Sequence, residues 1–135
     1  MSHLTTIKSQ IKFPDAILHA AQVLGVSVVQ RAKARFYSGY SEPCDYVLQL
    51  PGRYDLGLKL MPDGTFHFVC DEEVLSDTEN IRNGDALRIL GKRGGRFLQE
   101  YQAAVALKQA RKAGLTYHRT SLSDGTLQIR LTGRS

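Results

Sequence analysis

The sequence predicts an α+β fold in which a largely antiparallel sheet carries two main helices on one face. Three observations point to it. Short runs of alternating apolar and polar residues recur along the chain, as half-buried strands require. Two stretches show helical spacing, and each ends in glycine. Tight turn signals join neighbouring strands, the usual connection in antiparallel sheets.

Residues 5–12 read as a strand, with Ile7 and Ile11 on one face and Ser9 between them. Phe13-Pro14-Asp15 opens a helix, because the N–H that proline lacks is not used in a first helical turn. Ile17, Leu18, Ala21 and Leu24 recur at helical spacing. Gly25 stops this helix, since glycine enters the left-handed region without a Cβ penalty. Residues 26–37 read as a long strand, with Gln30, Ala32, Ala34 and Phe36 on one face and Arg31, Lys33 and Arg35 on the other. Residues 38–43 read as a loop by composition.

Residues 45–50 form the next expected strand, ended by Pro51-Gly52. In residues 54–60, Tyr54, Leu56, Leu58 and Leu60 point one way, and Asp55, Gly57 and Lys59 the other. Met61-Pro62-Asp63-Gly64 is a turn signal, and residues 65–70 return with Phe66, Phe68 and Cys70 on one face, completing a hairpin. Ser76-Asp77-Thr78-Glu79 fits the start of a short helix, Arg82-Asn83-Gly84-Asp85 interrupts it, and residues 86–90 fit a further turn. After the break at Gly91-Lys92-Arg93-Gly94-Gly95, a helix over 96–113 carries a stripe of Phe97, Tyr101, Ala104 and Val105 and ends at Gly114. Strands over 115–120 and 126–131 flank the turn Ser123-Asp124-Gly125, and Leu127, Ile129 and Leu131 alternate with Gln128 and Arg130. Two helix-then-hairpin units with strands at both ends suggest a ferredoxin-like βαββαβ arrangement with an extra central hairpin.

A chain of 135 residues fits a single domain over 1–135, able to bury roughly two-thirds of its unfolded surface. Its 42% apolar content is ordinary for a globular chain, so neither a metal nor a disulfide is needed to hold it together. Cys44 and Cys70 lie far apart and form no Cys-x-x-Cys pair, which argues against zinc. The opening six residues show no basic segment followed by an apolar run, so no signal peptide is expected. No stretch has the length needed to span a bilayer. The expected setting is reduced and cytoplasmic.

The net charge of +5 is unevenly placed. Acids dominate from Asp71 to Asp85, and bases dominate from residue 86 onward. Such asymmetry suits an acidic partner or nucleic acid, although charges also serve solubility. Two candidate partner- or anion-binding segments stand out. In Gly91-Lys92-Arg93-Gly94-Gly95-Arg96, glycines would let the backbone approach an anion beside the cations Lys92, Arg93 and Arg96. The segment is not a P-loop, and glycine clusters usually mark plain loops. Along the second strand, Arg31, Lys33 and Arg35 would track a nucleic-acid backbone, with Phe36, Tyr37 and Tyr40 near enough in sequence to stack on bases. No aromatic-rich RNA-recognition motif accompanies them, and wet strand faces often carry charge.

His3, His19, His67 and His118 are scattered without metal-ligand spacing, and no Gly-x-Ser-x-Gly elbow occurs. Cys70 falls on the packed face of its strand, which reads as packing and not as a nucleophile. The expectation is a non-enzymatic protein with no catalytic, cofactor or metal residues. A protein partner is the first expectation, and nucleic-acid binding through the basic segments is the alternative.

The chain also resembles a known family. Met1-Ser2-His3-Leu4-Thr5-Thr6-Ile7-Lys8-Ser9-Gln10-Ile11-Lys12 is similar to the opening "MSHF-x-x-I-K-T-x-I" of the plastid and cyanobacterial family called Ycf thirty-five, found in other bacteria as domain of unknown function twelve-fifty-seven. Tyr54-Asp55-Leu56-Gly57-Leu58 resembles its central "YDIGF" piece, and Tyr101, Ala110, Gly114 and Asp124-Gly125 follow its tail pattern. Leu4 stands where that family usually has Phe, and Leu115 where an aromatic is common. The aromatic-rich stretch usual after the central hairpin is replaced by an acidic and then Gly/Arg-rich one. The resemblance carries over no catalytic residues. Some bacterial members look to be encoded beside AAA-type ATPases, which implies an adaptor or accessory subunit of a larger assembly.

Overall fold

Seven strands and two helices are found among the residues that the computed structural model describes, which are 4–36, 41–51, 54–71, 88–91 and 94–133. The order is β1 (Leu4–Ile11), α1 (Pro14–Leu24), β2 (Ser27–Arg35), β3 (Ser41–Gln49), β4 (Leu56–Leu60), β5 (Phe66–Asp71), α2 (Gly95–Ala113), β6 (Thr116–Ser121) and β7 (Leu127–Thr132). Residues 88–90 add a helical turn before α2. The helix start expected at Ser76 and the first residues of the turn expected at 86 lie outside the described residues.

β1 to β5 form one antiparallel sheet in the order β1-β5-β4-β3-β2, and β6 pairs with β7 in a separate two-stranded ribbon. The protein is therefore α+β, with a mostly antiparallel sheet and two helices. This order does not by itself establish a ferredoxin-like connection, since β1 pairs antiparallel with β5 and the ribbon stands apart from the five-stranded sheet. No described helix is long and apolar enough to cross a membrane.

Both helices pack on one face of the sheet. Ala16, Ile17, Ala20 and Ala21 of α1 and Phe97, Tyr101 and Ala104 of α2 share a core with Ile11, Leu48, Leu56, Leu58, Phe66, Phe68 and Cys70. Phe97 meets Phe68 edge-on with ring centroids 6.1 Å apart. Phe13 caps α1 without a side-chain hydrogen bond. The Tyr101 hydroxyl instead accepts the N–H groups of Lys12 (2.8 Å) and Phe13 (3.1 Å), tying the start of α1 to α2. Both helices end at a left-handed glycine, Gly25 and Gly114. β1 changes register against β5 between Ile7 and Ile11. Ser9 bridges the irregularity, its hydroxyl donating to the Phe66 carbonyl and accepting the Ile11 N–H at 3.2 Å.

The opposite face of the sheet is covered by its own hairpin. β2 and β3 pair in constant register from Ser27↔Gln49 to Arg35↔Ser41. A straight hairpin would carry Arg35 about 26 Å from the Ser27–Gln49 end. Yet the Arg35 N–H donates to Asp55 Oδ2 (2.9 Å), and its carbonyl accepts the Asp55 N–H (3.0 Å). Its guanidinium reaches the carbonyl of Leu50 (2.9 Å), one residue past the near end of β3. The hairpin therefore bends back over the sheet.

Arg31 marks the bend, at φ 51° between the pairs Gln30↔Tyr46 and Ala32↔Cys44. Before it, Val28, Tyr46 and Leu48 pack with the helix-side core. Beyond it, Ala32, Ala34, Phe36 and Cys44 pack on Val47 and Val69 as a second core. One sequence expectation is corrected here: Ser41, Glu42 and Pro43 belong to a strand and not to a loop. Arg31, Lys33 and Arg35 are exposed, whereas Ala34 and Phe36 between and after them are buried. Cys44 and Cys70 are both buried thiols, and they sit on opposite sides of the sheet.

Candidate functional site

The side-by-side packing of α1 and α2 leaves an open groove of about 400 Å³ on their outer surface. Its floor is apolar: Ala16 and Ala104 are buried and Leu107 is half-buried. Its rim is cationic, with Lys108, Arg111 and Lys112 from α2, joined by His19 from α1. Helix periodicity builds this rim. Residues 104, 107, 108, 111 and 112 are spaced so that they share one face of α2, and residues 15, 16 and 19 share one face of α1. Asp15 is the acid of the lining, and its carboxylate lies 3.6 Å from Lys108 Nζ. The same ammonium sits 5.6 Å from the centroid of the Phe13 ring, which is 43% exposed.

The residues singled out from sequence are placed differently. Arg35 is engaged: Nε donates to Asp55 Oδ2 (3.1 Å) and NH2 to Oδ1 (2.9 Å). These bonds to the Asp55 carboxylate hold the guanidinium even further above neutral pH than an ordinary arginine. Arg31 and Lys33 are exposed on the hairpin that covers the sheet face away from the helices. Arg96 is exposed at the start of α2, on the helix side, with NH1 donating to the Arg88 carbonyl at 3.3 Å. The sheet thus separates Arg31 and Lys33 from Arg96. Lys92, Arg93, Tyr37 and Tyr40 lie outside the described residues.

A smaller hollow of about 290 Å³ at the hairpin bend is lined by Arg31, Cys44, Asp45 and Lys59. Two of its charged side chains, Lys59 and Asp45, have partners within the protein. Lys59 pairs with Glu42 at 2.5 Å, and Asp45 accepts the Leu60 N–H at 2.7 Å. Burial pushes the Cys44 thiol up to about 11, so it stays protonated at neutral pH and is a poor nucleophile. Among the described residues, no group of three or more His, Cys, Asp or Glu side chains is placed to hold a metal.

Sequence reading missed the groove, although it noted Lys108, Arg111 and Lys112 as basic. Their i, i+3, i+4 spacing was the available signal. What it did not reveal was that α1 would lie alongside and bring His19 to the same rim. Comparison of the chain with family models, curated proteins and solved structures finds no match.

Proposed function

We propose that this chain is a non-enzymatic protein-interaction module, serving as an accessory or adaptor subunit of a larger assembly. The observation that carries the reading is the α1–α2 groove, where an apolar floor lies beneath a cationic rim. Such a surface suits docking: the floor supplies apolar contact area, and the rim steers and orients a partner of opposite charge. The likeness of the chain's opening and centre to the Ycf thirty-five family adds an AAA-type ATPase as a partner to test. A cytoplasmic setting fits two buried thiols held on opposite sides of a sheet.

Native co-purification after cross-linking tests the reading, with wild type compared against Lys108→Glu/Arg111→Glu. A protein partner should be enriched reproducibly by the wild type and lost from the variant. Absence of any reproducible partner, or its full retention by the variant, would count against the module reading or its surface, respectively. Nucleic-acid binding has weaker support, because Arg35 is engaged with Asp55 and the sheet lies between Arg31–Lys33 and Arg96. It would be favoured by a salt-sensitive mobility shift with RNA that Arg31→Glu/Lys33→Glu abolishes.

A further inference from the structure

The lining of the α1–α2 groove constrains what fits there. Ala16 and Ala104 are small side chains, and Leu107 extends the apolar strip along α2. Residues 104, 107, 108 and 111 follow the ridge rows of a helix, so strip and cations form one continuous surface. Arg111 and Lys112 stand in the last turn of α2, where a cation complements the helix dipole. That explanation does not reach Lys108, one turn earlier, or His19 on the neighbouring helix. The Lys108–Asp15 pair is exposed, with side chains 48% and 82% accessible. A pair of that kind contributes little in water, so a carboxylate from outside can replace Asp15 at small cost.

We infer that this groove receives an acidic amphipathic helix from a protein partner, an inference that rests on the interaction-module reading above. The occupant lays an apolar face with i, i+3 or i+4, i+7 anchors on Ala16, Ala104 and Leu107. Its Asp or Glu side chains meet Arg111, Lys112 and His19, and Lys108 exchanges Asp15 for one of them. A helix suits the floor because alanines let helix axes approach to about 8–10 Å. A basic helix would set like charges against the rim. A nucleic-acid strand would meet the cations but make no use of the apolar strip.

The test is fluorescence anisotropy with the full chain and a helix-stabilised peptide of about five turns, leucines on one face and glutamates on the other. Its lysine-for-glutamate counterpart, a single-stranded RNA and phosphatidylserine vesicles are run beside it. The acidic peptide should bind, weaken as salt rises, and lose at least about tenfold in affinity in Lys108→Glu/Arg111→Glu. Lys33→Glu, on the other side of the sheet, should leave it unchanged, and amide shifts on binding should centre on Ala16, His19 and Leu107. No binding of the acidic peptide, equal binding of the basic one, or indifference to the double variant would overturn the inference. RNA or vesicle binding that replaces peptide binding and vanishes in the same variant would also overturn it, assigning the groove to another polyanion. If the peptide fails while a co-purifying protein is still lost from the variant, this occupant is wrong and the interaction module stands.

Discussion

Gly57 shows how one missing side chain serves the second core. A Cβ placed there would lie 2.5 Å from Cys44 Sγ and 3.1 Å from the Val69 carbonyl oxygen. Both distances are inside normal contact, and one of the neighbours is backbone. Gly57→Ala should therefore lower the free energy of unfolding by about 1–3 kcal/mol, the usual range for overpacking a filled site. Cys44→Ala in the same chain removes the sulfur clash but not the one with the carbonyl, so it should recover part of the loss. Urea unfolding of the two single variants and the double variant measures this coupling. Strictly additive losses would show that Cys44 is not what confines Gly57. The alternating pattern of residues 54–60 was legible in the sequence; of the four residues it put on one face, Tyr54, Leu56 and Leu58 lie in the helix-side core and Leu60 is exposed. The same pattern put Gly57 on the face opposite Leu56 and Leu58. It is buried because Cys44, thirteen residues earlier, is folded over it, and no local period encodes that.

At the scale of elements, the bent β2–β3 hairpin depends on the contact between its far end and Asp55. Asp55 is nearly buried, with a side chain 3% exposed, whereas that of Arg35 is 51% exposed. Removing one partner or the other should thus have unequal effects. Arg35→Ala leaves a carboxylate buried without its guanidinium, a change expected to cost about 3–5 kcal/mol. Asp55→Ala leaves an arginine that water can reach, so its lost hydrogen bonds should cost only about 1–2 kcal/mol. Denaturant unfolding of both variants checks the order, and equal losses would mean that Asp55 finds water or another donor when Arg35 is gone. Sequence reading located both strands but not the bend in β2. Alternation continues unbroken through Arg31, and only its positive φ turns the following residues to the other core. Ser41-Glu42-Pro43 looked like a loop because of its composition. It is held in β3 by pairing with β2 beyond the short stretch, Tyr46 to Leu48, where β3 also pairs with β4. A proline is tolerated in such a place because the strand has one ladder to satisfy and not two.

Across the described residues of the molecule, the β6–β7 ribbon stands apart from the five-stranded sheet, and an ion pair contributes to its attachment to α2. Two-stranded ribbons are marginal alone. Here Tyr117, Leu127 and Ile129 are half-buried, and Leu131 is 39% exposed. Arg119 supplies the tie, giving NH1 to Glu100 Oε1 (2.7 Å) and NH2 to Oε2 (2.6 Å) as a two-pronged bond. Hydrogen bonding to that carboxylate holds the Arg119 guanidinium in its charged form. Glu100 is a charged residue inside the packed face of α2, only 6% exposed. In Arg119→Ala, Glu100 loses its partner on the ribbon, and movement of the ribbon away from α2 would let water reach the carboxylate. The expected outcome is local opening: hydrogen exchange at the amides of β6 and β7 should quicken by at least about tenfold while β3, β4 and β5 stay protected. Replacing both partners, Glu100→Leu with Arg119→Leu, removes the buried charge and should restore most of the ribbon's protection. If β3 to β5 lose protection together with the ribbon in Arg119→Ala, the two sheets unfold as one cooperative unit and the ion pair acts on the whole protein.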